Sequence, residues 1–238
     1  MNKEKLIKIA NQMVTTGKGI LAADESTNTM TKRLDSVNVH SSSENRLLFR
    51  NTLFTSKCMS ECVGGVILYD ETINQVSSQK KIPEIISKNG SITGIKVDTG
   101  TKNLAGSNHE KITEGLDGLR ERLKLYFDLG ARFTKWRSVY KISENEPSEI
   151  AMITNSHSLA RYSAIVQESN MVPIVEPEVL MDGKHSAKDC YIKTSEVLKR
   201  CFDELILQKV DLKGIILKPN MILAGKDAIE KSDKEEVT

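Results

Sequence analysis

Short apolar runs recur along the chain, each bounded by polar or glycine-rich residues and separated by stretches of helical pattern. They are Gly19–Ala23, Val63–Tyr69, Ile92–Val97, Arg132–Trp136, Met171–Val175 and Gly214–Leu217. Their starts fall about 30 to 45 residues apart, the length of a strand plus a crossover helix. Runs that are apolar throughout, rather than alternating, predict strands covered on both faces, as in a parallel sheet. Between them, Glu44–Cys62, Leu116–Leu129, Ala151–Glu168 and Ala187–Leu207 space their apolar residues as amphipathic helices do. No linker or low-complexity tract interrupts residues 1–238, so one α/β domain is expected.

Nearly every run finishes on charge: Asp24, Asp70, Lys96 with Asp98, Lys135 with Arg137, Glu176 with Glu178, and Lys218. In a (β/α) barrel the C-terminal strand ends surround one mouth, so such residues converge although distant in sequence. The competing reading is that charge merely marks where strands surface. Six ends in a row, carrying both signs, favour a shared site.

Composition narrows the partners. The 34 basic and 32 acidic residues leave a net charge of +2, which gives no case for a nucleic-acid or membrane partner. The lysine-studded N-terminus lacks the apolar core of a signal peptide, no run reaches membrane-spanning length, and a cytoplasmic protein is expected. Cys58 and Cys62, four apart, read as small apolar residues on a buried helix face rather than as metal ligands. His40, His109, His157 and His185 are scattered, which suggests surface or capping roles and no metal.

Individual residues then acquire chemistry. Lys218 precedes Pro219, which steers it away from helical backbone and leaves it extended at a strand end. An amine there, in a cavity with apolar walls and with Lys135 and Arg137 nearby, would be held partly neutral and nucleophilic; a surface lysine ending a strand is the plainer alternative. Glu176 and Glu178 project to one side of an extended backbone and repel one another unless cations intervene. Ser26 or Thr27 suits a helix N-cap, and that helix start, with Lys96 and Arg33, could hold a phosphate.

Seven segments, in order, resemble those of the class I fructose-1,6-bisphosphate aldolases. They are Gly17–Thr27, Tyr69–Thr72, Gly94–Asp98, Gly115–Leu119, Lys135–Arg137, Val172–Glu178 and Leu217–Met221. The resemblance implies a TIM (β/α)8 barrel, no metal or other cofactor, and a Schiff base between Lys218 and the ketone of a phosphorylated sugar. It further implies that Glu176 shuttles protons during imine formation, with Glu178 and Lys135 completing the charged cluster. Asp24 would take the hydroxyl proton as the carbon–carbon bond breaks, and Lys96, Ser26, Arg33 and Arg137 would contact substrate phosphates and hydroxyls. The full-length family is often homotetrameric.

Lys213 and Thr93 depart from the family at positions outside its catalytic set. Only about six β/α units are expected, against the family's eight, and Ser232-x-x-Glu235 marks a helix start close to the chain's end. The family continues through two more strands, a serine- and glycine-rich phosphate loop and an arginine-containing phosphate site. The expectation is therefore a C-terminally truncated aldolase, impaired as this chain alone. A non-catalytic binding protein and a transaldolase-like Schiff-base enzyme are the alternatives.

Overall fold

The computed structural model describes residues 1–107, 109–233 and 235. Helix α1 (Lys3–Met13) leads into β1 (Gly19–Ala23), α2 (Thr27–Asp35), α3 (Ser43–Phe54), the single turn α4 (Met59–Cys62) and β2 (Val63–Leu68). A second single turn α5 (Asp70–Ile73), the strand pair β3 (Val76–Ser77) and β4 (Lys80–Lys81), and α6 (Ile82–Lys88) lead to β5 (Ile92–Lys96). After the hairpin β6 (Gly100–Asn103) and β7 (Lys111–Glu114) come α7 (Leu119–Asp128), β8 (Phe133–Tyr140), α8 (Glu149–Glu168) and β9 (Val172–Val179). The long α9 (Ala187–Leu207), a 3-10 turn (Leu212–Gly214) and β10 (Ile216–Leu217) follow.

The six expected strands form one sheet, ordered β1-β2-β5-β8-β9-β10, with every neighbouring pair parallel. Three of the four expected helices between them are present as single helices, and serine side chains cap four helices: Ser26, Ser42, Ser148 and Ser186 each accept the amide three residues on. The sheet is curled. In a flat sheet β1 and β8 would stand three strand spacings apart, about 14 Å. Yet Asp24, just past β1, touches Lys135 on β8 at 2.9 Å. The strands thus form part of a TIM barrel, as expected.

Two apolar layers position the site. On the outer face, Val66, Leu68, Ile95, Trp136 and Val175 pack against Leu119 and Leu123 of α7 and Leu159, Tyr162 and Val166 of α8. Inside, Ile67, Phe133, Val172 and Ile174 pack on Leu6, Ile9, Ala10 and Met13, so α1 plugs the barrel at its strand beginnings. Strand alternation then fixes what lies above the plug: Lys135 and Arg137 share the face of Phe133, and Glu176 and Glu178 share that of Ile174. The barrel is apolar at its floor and charged at its mouth.

The plug comes so close that Gly64 has no room for a side chain. A Cβ there would sit 2.2 Å from the Met13 carbonyl oxygen. Gly64→Ala is expected to displace α1 and cost about 1–3 kcal/mol, read as a lower urea midpoint with an unchanged slope.

Four expectations need correction. Glu44–Cys62 is not one helix: α3 ends at Phe54, where the Thr55 hydroxyl bonds back to Asn51 O at 2.8 Å, and only the α4 turn follows. Cys58 and Cys62 consequently sit exposed beside that turn rather than on a buried face. His185 is buried, beneath a segment that follows β10. Asp70 begins α5 after β2 has ended, and its carboxylate turns outward to accept the Tyr126 hydroxyl at 2.7 Å instead of joining the mouth. The helix start expected at Ser232–Glu235 includes Lys234, outside the described residues; Ser232 Oγ accepts the Ala224 amide at 2.9 Å. Among the described residues, no helix is long and apolar enough to cross a membrane.

Candidate active site

All nine residues singled out as site candidates line one cavity of about 460 Å3 at the C-terminal strand ends: Asp24, Ser26, Arg33, Lys96, Lys135, Arg137, Glu176, Glu178 and Lys218. Asp24 follows β1 directly, Lys96 closes β5, and β8 and β9 each contribute two side chains. Lys218 stands one residue past β10, but its N–H donates to Val175 O at 2.9 Å and so prolongs the ladder. The proline that follows it removes the next donor and ends the strand there.

The side chains form a chain of alternating charge. Lys135 Nζ lies 2.9 Å from Asp24 Oδ2 and 3.1 Å from Glu176 Oε2. The other Glu176 oxygen accepts from the Lys218 amine. Arg137 Nε donates to Glu178 Oε2 at 2.5 Å, Lys96 pairs with Asp98 at 3.1 Å, and Arg33 pairs with Glu25. The two glutamates therefore do not face each other unshielded, because each has its own cation.

Burial separates the two amines on Glu176. Lys135 is buried; desolvation disfavours its ammonium, but Asp24 and Glu176 together outweigh that and raise its pKa above the ordinary lysine value. Lys218 has half its side chain, 51%, open to solvent and, among the described residues, touches one carboxylate. The apolar-walled cavity expected around it is not what surrounds it: the lining is polar, and the nearby cations are already neutralised by acids. Arg137 behaves like Lys135: burial opposes its charge, and Glu178 outweighs it.

Sequence reasoning named Asp98 as a strand-end charge without giving it a role, and missed Arg50. Asp98 has a side chain only 3% exposed and is fixed by the Gly100 amide at 3.1 Å as well as by Lys96. Arg50 is fully buried and donates to the Glu25 carbonyl at 2.6 Å and Thr72 Oγ1 at 2.8 Å, which anchors the turn carrying Asp24 and Ser26. Burial lowers its pKa, against the pull of Glu25 and Glu71. Nothing near Arg50 in sequence announces these partners. Arg50→Lys would keep the charge but lose the fork, with an expected loss of about 1–3 kcal/mol in denaturant unfolding.

A partly closed β/α barrel with charged side chains gathered around a cavity at its C-terminal strand ends belongs to the TIM-barrel class, whose enzymes place their sites at that face. The model of the family "Fructose-bisphosphate aldolase class-I" matches residues 5–238. A probable class 1 fructose-bisphosphate aldolase of Xanthomonas axonopodis pv. citri is 48% identical over the whole chain, which spans 71% of that relative. Fructose-bisphosphate aldolase C of Carassius auratus is 48% identical over 99% of the chain, which covers 65% of it. The solved Plasmodium falciparum fructose-bisphosphate aldolase, in complex with TRAP and a small-molecule inhibitor, superposes with a TM-score of 0.96 at 41% identity, over 98% of this chain and 68% of that one. The chain belongs to the class I fructose-bisphosphate aldolases, lyases of glycolysis.

Proposed function

We propose that the strand-end cluster performs the reversible cleavage of fructose 1,6-bisphosphate to dihydroxyacetone phosphate and glyceraldehyde 3-phosphate, with Lys218 as the imine-forming residue. The observation that carries this reading is the asymmetry at Glu176: of the two amines touching it, Lys135 is buried between two carboxylates and Lys218 opens to the cavity. Lys135 serves as a fixed cation. Lys218 is the amine a ketone can reach.

Glu176 accepts a proton from the Lys218 ammonium, and the neutral amine so formed attacks C2 of the sugar. Glu176 returns the proton to the departing C2 hydroxyl, water leaves, and an iminium remains. Asp24 removes the proton of the C4 hydroxyl; the C3–C4 bond breaks, its electron pair moves to the iminium nitrogen, and glyceraldehyde 3-phosphate departs. Protonation of the resulting enamine at C3, followed by hydrolysis, frees dihydroxyacetone phosphate and Lys218. Lys96, Arg137, Arg33 and Ser26 fit contacts to phosphate and hydroxyl groups, since their partners in the free site are acids or their own helix start.

The free thiols of the four cysteines suit a cytoplasmic setting. The test is cleavage of fructose 1,6-bisphosphate by the 238-residue chain, with a chelator present and with fructose 6-phosphate as an alternative donor. Cleavage that the chelator leaves unchanged is expected. Loss of activity with the chelator, or activity only as transfer from fructose 6-phosphate, contradicts the reading.

A further inference from the structure

One acid at the mouth takes no part in the proton transfers proposed above. Asp98 lines the catalytic cavity two residues past Lys96, and Lys96 Nζ lies 3.1 Å from Asp98 Oδ1. The backbone between them is still in the sheet, since Val97 N–H donates to Lys135 O at 3.1 Å, so the two side chains project to one side.

The stretch is fixed from several directions. Arg122 donates to Val97 O at 2.8 Å, and Thr99 N–H donates to Glu114 O at 2.9 Å. The carboxylate itself accepts the Gly100 amide at 3.1 Å. Asp70, which also follows a strand, turned outward where its backbone entered a helix; Asp98 stays at the mouth because the hairpin of β6 and β7 holds its backbone there.

The charge on Asp98 is the feature that needs a reason. Its side chain is almost wholly buried, and Oδ2 has no hydrogen-bond partner among the described residues. A carboxylate held in this way costs more than a neutral side chain of the same shape. The local fold would be served without it: the Gly100 amide needs only an acceptor, which an asparagine oxygen supplies equally well. What asparagine lacks is a counter-charge, and the cation in contact is Lys96, which pairs with no other acid among the described residues. Arg137 on the neighbouring β8 feels the same charge: burial opposes its guanidinium, and Glu178, Glu176 and Asp98 outweigh that.

An acid beside a cation can also compete with an incoming anion. Asp98 is poorly placed to do so, because it is pinned and hidden while 18% of the Lys96 side chain is open. An ammonium has three N–H groups, so one directed at Asp98 leaves two for the cavity.

We propose that Asp98 is the positioning residue for Lys96: it holds the ammonium at the end of β5, aimed at the phosphate or hydroxyl groups of a bound sugar bisphosphate. The inference rests on the reading of this cavity as a site for fructose 1,6-bisphosphate.

The experiment is a double-mutant cycle on binding, made on Lys218→Met so that no turnover intervenes. Titration calorimetry gives the dissociation constant of fructose 1,6-bisphosphate for that background and for the same chain with Asp98→Asn, Lys96→Met or both. Urea midpoints establish that each chain is folded, and Asp98→Ser, which keeps a hydroxyl acceptor, provides a second cycle with the same expected outcome. Asp98→Asn is expected to weaken binding about tenfold, and Lys96→Met at least as much. The double variant should bind no worse than Lys96→Met alone. An equal loss from Asp98→Asn with and without Lys96 would make Asp98 a purely structural residue and overturn the proposal, as would unchanged or tighter binding. No binding by the background chain would remove the sugar-bisphosphate reading and this inference with it; binding that Asp98→Asn leaves intact would remove the inference alone.

Discussion

Lys218→Met is expected to abolish covalent capture of a ketone substrate and to lower carbon–carbon cleavage by more than about 10³-fold. The loss should be chemical rather than structural. The residue's fold contribution is its backbone N–H to Val175 O, which methionine keeps. Its side chain is half exposed, so the stability change should stay within about 1 kcal/mol. Glu176 would still have Lys135 as its counter-ion. Cleavage rate, adduct yield and urea midpoint measured together separate the outcomes: a folded variant retaining cleavage would remove Lys218 from the mechanism.

Lys135→Met carries the opposite signature, with a large effect on stability as well as on activity. Its ammonium neutralises both Asp24 and Glu176 in a buried setting. Removing it leaves Asp24 without the cation it pairs with away from water, which costs about 3–5 kcal/mol, while Glu176 keeps Lys218. The pH dependence follows from the direction of its shift. Because the folded pKa is raised above the ordinary 10.5, the stabilisation is fully present below that value and is lost as pH climbs through the folded one. The parent should thus lose stability at strongly alkaline pH through this group, and the variant should lack that component. Urea midpoints across pH check both trends; equal midpoints at neutral pH would mean the ion triad contributes nothing.

The six strands were legible because a strand covered on both faces leaves an uninterrupted apolar run, as in Val63–Leu68, six residues of which five are buried. The hairpins were not. Lys80–Lys81 and the Gly100–Asn103 arm pair through backbone bonds while pointing polar side chains outward, so no apolar pattern records them. The plug was half visible: Leu6, Ile9, Ala10 and Met13 have helical spacing, but only the packed structure reveals that they face Phe133 and Ile174 inside the barrel.

Seven of the nine candidates lie at strand ends and were readable there, Ser26 and Arg33 belong to the start and body of α2, and the supporting Arg50 left no such pattern. Arg50 reaches Glu25 across 25 positions and two elements, a contact set by how α3 lies against β1. Asp70 shows the limit of the strand-end rule. Two residues past β2, the backbone has already turned into α5 and carries the carboxylate away from the mouth. Lys218 was placed correctly but its surroundings were not, because the nearby cations had been considered without the acids that hold them.

The most direct test of the central claim is borohydride trapping on the 238-residue chain. The chain is incubated with dihydroxyacetone phosphate, reduced, digested and mapped by mass spectrometry. The account predicts a reduced triose adduct on Lys218 and none on Lys135, since only the first amine is open to the cavity. An adduct on Lys135 or another lysine instead, or no adduct on a chain shown to be folded, would contradict it.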